Sequence, residues 1–171
     1  GSSSEKEVLL QSERCSHRDR LSVSKMIYNI YIFNRKGSCL YYKEWSRPYN
    51  SFPPSDQGEE RKLVFGMIFS IKELVGKMKS PAAVDDGLHC LKTNAFTLHH
   101  LETASGLRFV LNTDHATPDL RSNLLDIYGR LFVEYVTKNP SYDPTGDAPL
   151  DSPMFEAALA EYLEGLSCFR S

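Results

Sequence analysis

The stretch from Lys62 to Met78 (KLVFGMIFSIKELVGKM) constrains the fold most, because it is apolar on two sides of one predicted helix. At a step of about 100° per residue, one face resembles an ordinary core stripe. That face holds Leu63, Val64, Met67, Ile68, Ile71, Leu74, Val75 and Met78. Phe65 and Phe69 point the opposite way, with Gly76 beside them. A surface helix needs only one apolar face, so the pattern predicts a second surface that something covers.

We interpret this second surface as a binding face for another protein. Aromatic side chains are favoured interface anchors, and a glycine permits close approach of a partner. The candidate interface residues are Lys62, Phe65, Phe69, Lys72 and Gly76. The alternative is that a loop of the same chain covers the two rings.

Composition excludes several function classes. The hydrophobic fraction of 41% is enough for a core, and the charged fraction of 25% is typical of a protein with a water-exposed surface. A formal net charge of -2 gives no electrostatic footprint for nucleic acid or anionic lipid. No apolar run approaches the roughly 20 residues that span a bilayer. We therefore expect neither a nucleic-acid partner nor a transmembrane segment.

The cysteines indicate a reducing compartment. Cys15, Cys39, Cys90 and Cys168 are scattered and form no C-x-x-C pair, so neither a disulfide framework nor a zinc site is expected. This usage favours the cytoplasm.

The order of predicted elements is β-β-α-β-β-β-α-α. The predicted strands are Ile27 to Phe33, Ser38 to Trp45, Gly87 to Thr93, Phe96 to Thr103 and Leu107 to Asn112. The first helix begins near Glu59 and ends at Ser80-Pro81, the second opens at Thr117-Pro118 and the third at Ser152-Pro153. This order predicts an α+β fold, with helices packed on a five-stranded antiparallel sheet.

Residues 1–25 are polar, show no sustained period and are interpreted as a leader or an extension added for expression. Met26 stands just before the first strand, and residues 26–171 are predicted to form a single domain.

No catalytic or cofactor motif stands out. The chain has no phosphate-binding glycine loop, no H-E-x-x-H and no G-x-S-x-G. His89-Cys90 and His99-His100 lie on neighbouring predicted strands, but adjacent strand residues point to opposite faces. Zinc needs three or four ligands, so we expect no metal site, no cofactor and no catalytic residue.

Four segments in this order resemble the subunit 1 family of the transport protein particle (TRAPP), within the longin-domain trafficking proteins. The segments are IYNIYIFNRKGSCLYYKEW, KLVFGMIFSIKELVGKM, FTLHHLETASGLRFVLNTD and YGRLFVEYVTKNP. The resemblance covers Met26 to Phe169 and implies a longin-like fold.

The resemblance also implies a function without catalysis by this chain. Members are subunits of a vesicle-tethering complex in ER-to-Golgi transport, peripheral at ER and Golgi membranes. The assembled complex promotes nucleotide exchange on a Rab GTPase. The longin subunit pairs with a second longin subunit and contacts a lipid-pocket-type subunit. The expected partners are these TRAPP subunits and, through the complex, the GTPase.

Two alternatives remain at this point. One is a small adaptor chain of a vesicle coat, which shares the hairpin–helix opening and binds dileucine sorting peptides. The other is a small cysteine-dependent hydrolase using Cys90 or Cys39 with a nearby histidine. Thiol reactivity separates them, because an activated thiolate reacts fast at neutral pH.

Overall fold

The computed structural model describes residues 26–46, 57–78 and 88–166. Five strands form one antiparallel sheet in the order β2-β1-β5-β4-β3. Their bounds are β1 Ile27–Phe33, β2 Cys39–Glu44, β3 Cys90–Lys92, β4 Thr97–Glu102 and β5 Arg108–Thr113. The α+β architecture predicted from the element order is confirmed.

Three helices lie within the described residues, in the predicted order. The first, α1, spans Gln57–Met78. The second, α2, is continuous and consists of an α-helical part, Arg121–Asp126, and a π-helical part, Ile127–Thr137. The third, α3, spans Pro153–Glu164. Its start is as predicted, because the Ser152 hydroxyl accepts a hydrogen bond from the backbone N–H of Phe155 and proline occupies the first turn.

The central strands β1 and β5 are buried on both faces, and the alternation of their side chains divides the core in two. On one face, Phe109 and Leu111 pack with residues of α2 and α3, among them Phe132 and Phe155. On the other face, Tyr31, Phe33, Leu98 and Val110 pack against α1. The sheet is therefore a middle layer, with α1 alone on one side among the described residues.

The second helix begins later than the sequence predicted. Thr117 does not cap it: its N–H and hydroxyl both donate to the Asp114 carboxylate, closing a turn after β5. The helix starts at Arg121, and Leu120 precedes it without a side-chain cap. The prediction was wrong because an Asx turn and a helix cap use the same residue types.

The π-helical part explains which residues of α2 are buried. Ile127, Phe132 and Val136 face the core, at spacings of five and four residues. In a π-helix each backbone hydrogen bond links residues five apart, which widens each turn. Residues spaced by four or five therefore lie on the same face of the helix. Leu131 and Tyr135, which a regular α-helical step would place inward, are half-buried at the edge of the core.

Across the residues that the structure describes, no helix combines the length and the apolarity needed to cross a membrane.

Candidate partner interface

The inner side of α1 closes the smaller of the two cores. Ile68 is fully buried, and Val64 and Ile71 are half-buried beside it against the sheet. Their partners include Tyr31 and Phe33 of β1. This contact fixes the rotation of α1 about its axis and so determines which side chains remain outside.

Phe65 lies on this inner side, which corrects the expectation that it points away from the core. Its ring meets the Phe33 ring edge-on, with 5.5 Å between centroids. It also covers Gly37, where a Cβ atom would approach the ring to 2.8 Å. Gly37 has a φ of +95°, so the hairpin turn provides both the backbone shape and the space that the ring fills.

The outer side of α1 carries an apolar surface, but its residues differ from those predicted. Leu63, Leu74 and Met78 are 54%, 57% and 78% exposed, although the sequence pattern placed all three in the core stripe. Leu63 and Leu74 are three turns apart at nearly the same angle, and Met78 follows one turn later. We call these three residues the outer face.

The difference amounts to a rotation of the helix by about 60°. A helix that is apolar on most of its circumference gives a pattern compatible with several rotations. Packing decides between these rotations. The Phe65 ring fills the space over Gly37, whereas Leu63 has no such space to fill and stays exposed.

The remaining predicted interface residues lie on the exposed or half-buried sides of α1. Phe69 is 45% exposed. Lys62 is exposed and pairs with Glu59 at 3.3 Å, whereas Lys72 pairs with Glu102 of β4. Gly76 is exposed, with open space where a side chain would stand. The predicted binding face itself stays a prediction, now centred on the outer face, with Phe69 on the other exposed flank of α1.

Arg108 is a residue that the sequence reasoning missed. It belongs to β5, on the same side of the sheet as Val110, and is only 7% exposed. Its guanidinium lies 4.8 Å from the centroid of the Phe65 ring and 5.9 Å from that of Phe69. The signal available was an arginine at the start of a strand that continues with Phe109, Val110 and Leu111.

The histidines of β4 are buried and separated by the pleat. His99 Nε2 donates to the Thr113 hydroxyl oxygen at 2.9 Å, since that hydroxyl itself donates to the Asp114 carbonyl. On the other face, His100 Nδ1 donates to the Leu88 carbonyl at 2.8 Å. Burial lowers the pKa of both imidazoles, so both are neutral near pH 7.

His89 and Cys90 do not complete a metal site with His99 or His100. His89 Nδ1 accepts from Arg121. Among residues 26–46, 57–78 and 88–166, no three His, Cys, Asp or Glu side chains are placed to hold a metal ion.

The described cysteines lack the surroundings that activate a thiol. Burial raises the pKa of Cys39, which outweighs the nearby Arg61 charge. Desolvation, then the charge of Asp119, raises the pKa of the exposed Cys90. A nucleophilic cysteine requires the opposite shift, so these environments do not favour a cysteine-dependent hydrolase. Cys15 and Cys168, like the leader of residues 1–25, lie outside the described residues.

Comparison with known proteins identifies the family. The model of the Sybindin-like family matches residues 27–166. "Trafficking protein particle complex subunit 1" of Dictyostelium discoideum is 43% identical over 148 residues, which are 85% of this chain and 100% of that protein. Its human namesake is 40% identical over 143 residues, covering 84% and 95% of the two chains.

A more distant relative bears another subunit's name. "Trafficking protein particle complex subunit 4" of Bos taurus is 29% identical over 103 residues, or 60% of this chain and 46% of that protein. The resemblance to the subunit 1 family of TRAPP is thus confirmed, and this chain belongs to the Sybindin-like family.

Proposed function

We propose that this chain is a non-catalytic subunit of a TRAPP-type vesicle-tethering complex and that the outer face of α1 binds a neighbouring subunit. The observation that carries the proposal is the exposure of Leu63, Leu74 and Met78 along one flank of a helix whose inner side, around Ile68, is already packed. Exposed apolar side chains aligned along a rigid element are typical of protein interfaces.

The neighbour that we propose is a second subunit of the same fold, the counterpart of subunit 4. The similarity between this chain and bovine subunit 4 supports the presence of two related chains in one complex. A lipid-pocket-type subunit is the second proposed neighbour.

The proposed action is indirect. The chain holds its neighbours in position, and the assembled complex promotes GDP release from a Rab GTPase in ER-to-Golgi transport. The names of the relatives support the trafficking complex, and the pKa values of Cys39 and Cys90 argue against chemistry at a thiol. We propose a cytoplasmic location, peripheral at ER and Golgi membranes.

The test is a double substitution, Leu63→Ser with Leu74→Ser. Each leucine is about half exposed, so burying the remainder in an interface contributes about 1 kcal/mol per side chain. Losing both costs about 2 kcal/mol, roughly a 30-fold rise in Kd. The matched control is Leu125→Ser, because Leu125 is 48% exposed on α2, across the sheet.

Two measurements are needed: the Kd for the purified counterpart of subunit 4, and GDP release from the Rab GTPase by the reconstituted complex. We expect the double variant to weaken binding and slow GDP release, and the control to match wild type. Equal binding by all three proteins would remove the outer face from the interface. Wild-type chain that joins no subunit would refute the proposed function as a whole.

A further inference from the structure

Arg108 is a buried cation beneath the flank of α1 that carries Phe69. It is 7% exposed, and its guanidinium lies against the rings of Phe65 and Phe69. Arginine keeps its charge inside proteins. The Phe69 ring, 45% exposed, separates this charge from solvent. We call Arg108 with these two rings the Arg108 notch.

The guanidinium has N–H groups that nothing in the described chain accepts. Nε and Nη1 of Arg108 are both buried without a hydrogen-bond partner. Contact with an aromatic face offsets part of this cost, but a ring does not replace an oxygen acceptor. Buried polar groups are normally paired, so these two donors mark a place where an acceptor is missing.

The carboxylate that faces Arg108 across the sheet is already engaged. Glu102 opposes Arg108 across β4 and β5, but its carboxylate binds Lys72 of α1. Burial alone would raise the pKa of Glu102. The hydrogen bond and charge of Lys72, followed by the charge of Arg108, outweigh burial and lower this pKa below its usual value. The neighbouring His100 is neutral. The cluster thus holds two cations against one anion.

We propose that the Arg108 notch receives an aspartate or glutamate side chain of the protein that docks on α1. A carboxylate is the acceptor that matches the planar fork of a guanidinium and balances the charge. It would enter beside Phe69, whose exposed ring supplies an apolar contact next to the ion pair. This inference rests on the proposed function, because it names the chemistry by which the neighbouring subunit is recognised.

The main test is Arg108→Met, which keeps an unbranched apolar stem and removes the guanidinium with its charge. The probe is the purified counterpart of subunit 4, titrated calorimetrically. A lost charged hydrogen bond predicts that Kd rises at least about tenfold. The melting temperature of the isolated variant should equal or exceed that of wild type, because an unpaired buried charge has been removed. Arg108→Gln serves as a second variant if the methionine packs poorly.

Two further measurements identify the acidic partner residue. The wild-type Kd should depend more steeply on salt than the Kd of Arg108→Met, since an ion pair is screened. Replacing each surface Asp or Glu of the partner by Lys should reveal one position that restores binding to Arg108→Glu.

Different results overturn the two proposals. If Arg108→Met and Arg108→Gln bind like wild type while the leucine double variant binds weakly, the notch is refuted and the interface stands. If both Arg108 variants melt several degrees lower, the guanidinium is satisfied within the chain and the notch is again refuted. If wild-type chain binds no subunit, the proposed function and the notch fall together.

Discussion

Phe65→Ala is expected to destabilise the isolated chain, although the sequence pattern placed this ring on an outward face. The ring is half-buried, packs edge-on against Phe33 and covers Gly37. Its removal opens a space between α1 and the hairpin turn that neither element fills without moving. The substitution therefore separates the observed rotation of α1 from the one that periodicity predicted.

The size of the effect follows from these contacts. Truncating a fully buried phenylalanine costs about 3–5 kcal/mol, so a half-buried ring accounts for about 2 kcal/mol. The aromatic pair with Phe33 adds about 0.5–1 kcal/mol. The sum, about 2–3 kcal/mol, corresponds to a melting temperature lower by about 4–12 °C for a domain of this size.

Urea unfolding followed by circular dichroism measures this change, with Leu63→Ala as the matched control. Leu63 is 54% exposed, so its truncation should lower the free energy of unfolding by about 1 kcal/mol at most. The reverse order, with Leu63→Ala costly and Phe65→Ala neutral, would refute the reasoning and restore the rotation expected from the sequence.

Three other predictions concern single residues. The unfolding free energy should fall as pH drops below the unfolded histidine pKa of about 6.5, because His100 has a lowered pKa in the folded chain and the unfolded chain binds the proton first. His100→Gln should flatten this pH dependence, measured by urea titration at pH 5–8. An unchanged slope in the variant would contradict the prediction. Cys90 should react slowly with iodoacetamide at pH 7 and faster with rising pH, since its pKa is raised; fast labelling at neutral pH, seen by mass spectrometry, would revive the hydrolase alternative. Gly37→Ala should cost about 1–2 kcal/mol in the same unfolding assay, because φ is +95° and the new Cβ meets Phe65; a neutral result would mean that the ring does not cover the turn.

Periodicity and turn chemistry predicted the sheet because each strand of the hairpins is bounded by turn residues. Gly37 and Gly106 adopt positive φ in the turns between β1 and β2 and between β4 and β5. The start of α3 was also predictable, since Ser152 and Pro153 act within one turn of the chain. These features are local, and local sequence is enough to specify them.

The rotation of α1 was not predictable from periodicity, because it depends on a contact between residues far apart in the chain. Phe65 turns inward to meet Phe33 and Gly37, and a helical wheel contains no information on the surface below it. The same applies to Arg108, whose two aromatic neighbours come from a different element. The idea of a second surface on α1 came from the sequence, whereas its residues came from packing.

The central claim is that the outer face of α1 is covered by another subunit in the assembled complex. The most direct measurement is the maleimide labelling rate of Leu74→Cys, followed by site-resolved mass spectrometry in the free chain and in the reconstituted complex. Leu125→Cys, on the opposite side of the sheet, is the reference. The account predicts that assembly slows labelling at position 74 by at least about tenfold relative to position 125, since a side chain in an interface core is excluded from solvent. Equal rates at position 74 before and after assembly would contradict it.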